Sequence, residues 1–266
     1  MYLSVSIYIC DFMACLVYTT AEKISNDIGT RLKENPKLQS FDHLDKSNTN
    51  KIEILEINTS IIDSDYLSSK PYDAFVFVSR HVSSKGVLAF TVHPLGRISE
   101  NNYDLGVADP IGMLKMLQSI NKLCRFENVT ITYEATHHGP ILSKRSFFTE
   151  FGGPINIEGF SGYTSALSLA IAESFDIKVE YECIALGISG THYPKKFTEF
   201  AINGKYAFSH ILPEYNLTNI NIIKSAIEHS NPKPDIAIIE KKGLNSMQRK
   251  MVIDELNKIG MESVMV

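Results

Sequence analysis

The chain has 266 residues, 44% of them hydrophobic and 21% charged, with a formal charge of −4. That length can build one large α/β domain or two small ones, with a core that needs no disulfides. Its four cysteines, Cys10, Cys15, Cys124 and Cys183, form no CxxC pair, which argues against a zinc finger, a thioredoxin-like site or a disulfide scaffold and for a reducing compartment. The weakly negative field means that a nucleic-acid partner has to meet a local basic patch.

The opening stretch, "MYLSVSIYICDFMACLVY", carries one charge, Asp11. It has no basic n-region and no small-residue cleavage site, so it reads as strand rather than as a leader or a membrane span. Residues 1–12 are expected to be an extension, and Met13 opens the cleaner strand "MACLVYTT". Thr20 can cap a helix through "AEKISNDIGTRLKEN", which Pro36 ends. A polar loop, "SFDHLDKSNTN", precedes the strands "KIEILEINTS", "YDAFVFVSRH" and "GVLAFTVH". The second of these is nearly all apolar and should be central. "NNYDLGVADP" reads as a loop whose Asp109-Pro110 suits N-cap and N1 of the helix "IGMLKMLQSINKL".

Beyond residue 128 the pattern continues with the strand "NVTITYEA", the helix "SGYTSALSLAIAESF", and the strands "KVEYECIALGIS" and "YAFSHIL". The helix "TNINIIKSAIEHS", the strand "PDIAIIE", a helix from Asn245 with Gln248 in capping-box spacing, and the short strand "MESVMV" complete it. Such alternation predicts a mixed, mostly parallel sheet with helices on both faces, a three-layer α/β/α architecture in a single domain over 13–266. Sites in such folds form beyond strand ends.

Histidines cluster at those ends. His81 follows "FVFVSR", His93 follows "VLAFTV", His137 and His138 follow "VTITYEAT", and His192 follows "IALGISGT". One such histidine is usually only a satisfied polar residue. Five together are candidates for a metal site, since zinc takes three or four ligands from His, Cys, Asp and Glu. Glu134 suits either a ligand or a general base. A helical HExxH, GxGxxG, GxxxxGK[ST] and GxSxG are all absent, which disfavours the usual zinc-protease, nucleotide and serine-hydrolase sites.

Four segments occur together in order: "SRHVSSKGVLAFTVHPLG" (79–96), "YEATHHGP" (133–140), "SFFTEFG" (146–152) and "GISGTHYPKKFTE" (187–199). They resemble the archaeal and plant type of D-aminoacyl-tRNA deacylase, and the likeness runs from about residue 13 to 266. The chain departs from that pattern in places. Glu150-Phe151-Gly152-Gly153 stands where the family usually has EIGS, Ser189-Gly190-Thr191-His192-Tyr193 where it has GGxHY, and the chain has no tryptophan. These departures bear on the shape of the amino-acid pocket.

The resemblance implies a fold similar to phosphorylase and peptidyl-tRNA hydrolase. It implies a zinc-dependent hydrolase, with up to two ions per chain, that cleaves the ester joining a D-amino acid to tRNA. The expected protein is a cytoplasmic monomer without a membrane association. Chemistry, rather than the resemblance, suggests the site. Some of His93, His137, His138 and His192 would hold zinc, and Glu134, His138 and Glu150 would handle protons. Arg80, Arg97, Lys195 and Lys196 flank the motifs and could meet phosphates. His81, Gly139, Gly190 and Tyr193 would shape the substrate site, with His192-Tyr193 offering a ring for the terminal base. A zinc-dependent amidase or peptidase on small substrates, or an RNA-binding protein with structural histidines, are the other readings.

Overall fold

A computed structural model describes residues 12–40, 51–82, 86–99 and 102–266. In chain order the elements are β1 (Met13–Thr19), α1 (Lys23–Glu34), α2 (Pro36–Ser40), β2 (Lys51–Ile57), β3 (Ala74–His81), β4 (Ala89–Pro94), β5 (Gly96–Ile98), β6 (Tyr103–Leu105) and β7 (Val107–Ala108). Then follow α3 (Pro110–Leu123), β8 (Thr130–Tyr133), β9 (Arg145–Gly152), α4 (Phe160–Ser174), β10 (Cys183–Ile188), α5 (Lys195–Ile202), β11 (Tyr206–Leu212), α6 (Ile222–Glu228), β12 (Ile236–Ile239), α7 (Ser246–Lys258) and β13 (Glu262–Met265). The expected extension, residues 1–12, and the expected loop, residues 40–50, lie outside the described residues apart from Phe12 and Ser40, the last residue of α2.

The α/β class and the mostly parallel pairing match the sequence reading, and the strands divide between two main sheets. The larger runs β2-β1-β3-β9-β4-β8, with β7 also against β9; the smaller runs β11-β10-β12-β13. Within the larger sheet β4 pairs antiparallel with β9, and β8 pairs parallel with β4. The sheets adjoin where the chain leaves β8: Ala135 N–H donates to His192 C=O and Thr136 N–H to Ile211 C=O.

Period-two alternation gives the larger sheet two different faces. Leu16, Val76, Val78, Phe90, Val92, Phe147 and Phe151 pack into one core with α1, α3 and α4. On the other face Val17, Phe75, Phe77 and Phe148 pack under Ile61, Leu67, Leu95 and Leu142. There the cover is 3-10 turns, Ile61–Asp63 and Asp65–Ser69, in place of long helices. The smaller sheet has a core of its own beneath α6 and α7.

Most capping signals are realised. The Asp109 side chain accepts from Gly112 N–H, and Asn245 and Gln248 form a reciprocal capping box. The first helix differs: Glu22, not Thr20, supplies its cap by accepting from Ser25 N–H, because Thr20 still belongs to the turn leaving β1 and donates its N–H to Ile57 C=O. α2, β5, β9 and α5 are additions to the predicted elements, as are β6 and β7, which lie within the expected loop over 101–110; β9 is decisive, since it lies between β3 and β4.

Candidate active site

The helix-free face of the larger sheet turns polar at one end. On β9 the pleat puts Glu150 on the same face as Phe148; on β3 His81 follows Phe75 and Phe77, and on β4 His93 follows Thr91. Register aligns Ser79 with Glu150 and Thr91 with Glu150, so β3 and β4 flank this carboxylate. Glu134 comes one residue after β8 and donates its N–H to Val92 C=O, which sets it beside His93. His137 and His138 follow on a turn where His138 has a φ of 36°. His192 arrives from the smaller sheet, held by the Ala135 contact.

Glu134 is the hub. Its Oε1 lies 2.9 Å from His81 Nδ1 and 3.6 Å from His192 Nε2; its Oε2 lies 3.8 Å from His93 Nε2 and 3.9 Å from His137 Nε2. Glu150 sits behind, 3.7 Å from His81 and 3.9 Å from His93. Glu134 and His93 are wholly buried. Even so, both oxygens of Glu134 and Nε2 of His93 lack an aligned hydrogen-bond partner. The His81 contact is an ion pair off the line of a hydrogen bond. Orphaned buried polar atoms are costly, and a native site that keeps them has a use for them.

The imidazoles share one hydrogen-bonding scheme. Nδ1 of His93 lies 3.1 Å from the Pro94 carbonyl, Nδ1 of His137 lies 2.8 Å from that of Ala135, and Nδ1 of His138 lies 2.9 Å from that of Gly139. A main-chain carbonyl only accepts, so each Nδ1 carries a proton, and in the neutral ring Nε2 is the nitrogen left with a lone pair. Ligand atoms of His93, His137 and His138 lie within 4.8 Å of one another, as do those of Glu134, His137 and His192, and of His81, Glu134 and Glu150. Phe148 forms the floor: its ring lies parallel to His93 at 4.9 Å and edge-on to His138 at 4.8 Å.

Charges follow from burial set against the carboxylates. Burial, reinforced by His93 and His138, pushes His137 well below its usual pKa. Burial and then His93 lower His138 in the same direction, so both rings are neutral at pH 7. Burial opposes protonation of His81, but Glu134 and Glu150 outweigh it and hold this group at about 9. Burial would raise both carboxylates; their histidine neighbours outweigh it, and both stay ionised.

Other sequence candidates fall elsewhere. The pleat sends Arg80 to the helix-covered face, opposite His81. Arg97 is engaged by Asp65, with Nη1 to Oδ2 at 2.7 Å and Nη2 to Oδ1 at 2.8 Å, and it donates also to Ile62 C=O. It lies against Gly139, where an added Cβ would come within 2.6 Å of Arg97 Nη2. Gly190, at φ 84°, makes room in the same way for the Glu240 carboxylate. Both glycines thus admit protein groups. Tyr193 is half-exposed and its hydroxyl lies 2.8 Å from His81 Nε2. Lys195 and Lys196 open α5, the first fully in solvent and the second half-buried. Tyr215 and Phe148 were not singled out by the sequence. Tyr215 follows a strand end just as the histidines do, and that position was its available signal.

A family model described as D-aminoacyl-tRNA deacylase matches residues 68–264. The chain belongs to the D-aminoacyl-tRNA deacylase family. The D-aminoacyl-tRNA deacylase of Ignicoccus hospitalis is 35% identical over 201 residues, covering 73% of this chain and 81% of the relative. That of Pyrococcus abyssi is 30% identical over 273 residues, 95% of this chain and 99% of the relative. A solved structure described as a conserved protein of unknown function superposes with a TM-score of 0.80 at 24% identity, over 96% of this chain and 95% of the other, and supports the fold. Family membership makes the chain an enzyme of ester hydrolysis on aminoacyl-tRNA. The segments that carried the resemblance are those that converge on Glu134.

Proposed function

We propose that this chain hydrolyses the ester between a D-amino acid and the 3′ end of tRNA, with one zinc ion held by His93, His137 and His138. The observation that carries the metal is a set of three imidazoles whose ligand atoms lie within 4.8 Å of one another while each Nδ1 is engaged by a main-chain carbonyl. Ligand histidines characteristically have their second nitrogen engaged in this way. Glu134 and Glu150, which favour a proton on His93, would equally favour a cation there. A second ion at Glu134, His137 and His192 would have to share His137 with the first, and one at His81, Glu134 and Glu150 would occupy the carboxylate that serves as base. When bound, zinc supplies positive charge that acidifies a water molecule and polarises the ester carbonyl.

The chain's own groups do the rest. Glu134, ionised and without an aligned partner, takes the proton from the attacking water at its open edge, where Oε2 faces His137 and Oε1 faces His192. Burial and the neighbouring histidines hold its carboxylate in place, so it need not reorganise. Glu150 and His81 stand behind Glu134 and fix its position. The substrate enters on the side where His137 and His192 are a quarter to a third exposed. The leaving 3′ hydroxyl takes up a proton from the same side.

We place the protein in the cytoplasm, as a monomer, with tRNA carrying a D-amino acid as its substrate. The deciding assay compares D-tyrosyl-tRNA with L-tyrosyl-tRNA, with and without a chelator, alongside metal analysis of the purified protein. Fast release from the D-form alone, lost with chelator and restored by zinc, is the expected result. Equal hydrolysis of both forms would refute the substrate, and chelator-insensitive activity would refute the metal.

A further inference from the structure

Tyr215 is 55% exposed, yet its hydroxyl lies 3.2 Å from His192 Nδ1. On the other side of the same imidazole, Nε2 is 3.6 Å from Glu134 Oε1. The tyrosine therefore stands one imidazole's width from the reacting centre, with its ring in solvent.

The turn that carries it is well anchored. Glu214 N–H donates to Gly190 C=O and Asn216 N–H to Pro213 C=O, and Leu217 is buried beneath. Gly243, at φ 106°, lets the Glu214 carboxylate pack against its Cα, where a Cβ would come within 1.8 Å of Oε2. Ser189 Oγ donates to the carbonyl of Lys242. The loop bearing Lys241 and Lys242 is thereby joined to the tyrosine's turn. An exposed aromatic ring on an anchored turn, with Lys241 and Lys242 on the loop joined to that turn, matches the way single-stranded nucleic acid is bound, with a base on the ring and phosphate on the lysines. Tyr193, on the other flank of His192, is less suited, since its ring packs edge-on against both His81 and His192 and is less exposed.

We infer that Tyr215 is the stacking platform for the 3′-terminal base of the substrate RNA, with Lys241 and Lys242 placed for the phosphates beside it. This rests on the reading of the site as a deacylase. Tyr215 is then a binding and positioning residue: it sets the terminal nucleoside so that its ester faces Glu134.

The test needs no catalysis. Binding of a fluorescent acceptor-stem duplex ending in CCA is compared with one ending in CC, for the wild type, Tyr215→Leu and Tyr215→Phe. The wild type and Tyr215→Phe should prefer CCA by about 10-fold, and Tyr215→Leu should bind both ends equally, at the weaker affinity. A duplex preference that survives in Tyr215→Leu overturns the proposal, as does a wild type that cannot tell CCA from CC or binds neither. Separately, Tyr215→Leu should raise KM for D-tyrosyl-tRNA about 10-fold with kcat within about twofold. A fall in kcat shared by Tyr215→Phe would mean that the tyrosine acts only by orienting His192. Preserved CCA discrimination in a protein that releases no D-amino acid would sink the deacylase reading and leave this one standing.

Discussion

His93 and His210 are both completely buried, and the contrast between them separates a reactive histidine from a structural one. His210 has a partner at each nitrogen. Nδ1 lies 3.1 Å from Thr136 Oγ1, and Nε2 donates to the carbonyls of Gly106 and His229 at 3.1 and 3.0 Å. His93 has its Nδ1 on a carbonyl and nothing aligned at Nε2. Burial pushes the pKa of His210 down to about 4. For His93 burial acts in the same direction, but Glu150 and Glu134 reverse it. Burial is thus a poor marker of function; an unmet nitrogen facing carboxylates is a better one.

The largest effect should come from the hub of the reactive set. Glu134→Gln keeps the shape and removes the base, so kcat should drop about 100- to 10,000-fold. A variant within tenfold of wild type would end the role given to Glu134. His93→Ala should lower zinc affinity by more than the roughly 10- to 100-fold typical of losing a ligand's hydrogen-bond partner, read by competition with a chelating dye. His210→Ala, its counterpart, should leave zinc and kcat alone. It should cost about 2 kcal/mol in urea unfolding, because it orphans two carbonyls.

Acid sharpens the comparison. Between pH 6.5 and about 4 the unfolded chain binds more protons at His210 than the folded chain does. Stability from this group is present above pH 6.5 and is lost as pH falls through that window, by up to about 3 kcal/mol. The stability gap between wild type and His210→Ala should therefore narrow toward pH 4; a constant gap would contradict the buried neutral ring. The smallest effect belongs to Arg97→Ala. An exposed pair with Asp65 is worth at most about 1 kcal/mol, and the salt dependence of tRNA binding should not change. A salt slope smaller by about one would return Arg97 to the phosphate contacts.

Much of the site was legible because polar residues at the ends of apolar runs are conspicuous. His81, His93, Glu134, His137, His138 and His192 were readable that way, and Glu150 came through the family segment. What could not be read was adjacency across the sheet. That β9 inserts between β3 and β4, and that β4 runs against it, places Glu150 behind Glu134; no local spacing encodes strand order. Arg80 and His81 are neighbours in sequence and opposite in the pleat, which had to wait for the strand boundary. Arg97 finds Asp65 across 32 positions, a pairing invisible to pattern. Gly139 and Gly190 looked like room for a ligand and are room for Arg97 and Glu240.

The floor under the histidines carries a consequence for handedness. Phe148 closes the site from beneath with a ring that offers no lone pair to a metal and no path to water. In the reaction proposed above, reagents arrive from the rim of His137 and His192, the exposed side of the site, and an ester held there would present one of its two carbonyl faces to Glu134. Under that proposal, exchanging the substituents at the neighbouring carbon would turn a fit into a collision. A flat, inert surface can in this way be part of how a left-handed amino acid is told from a right-handed one.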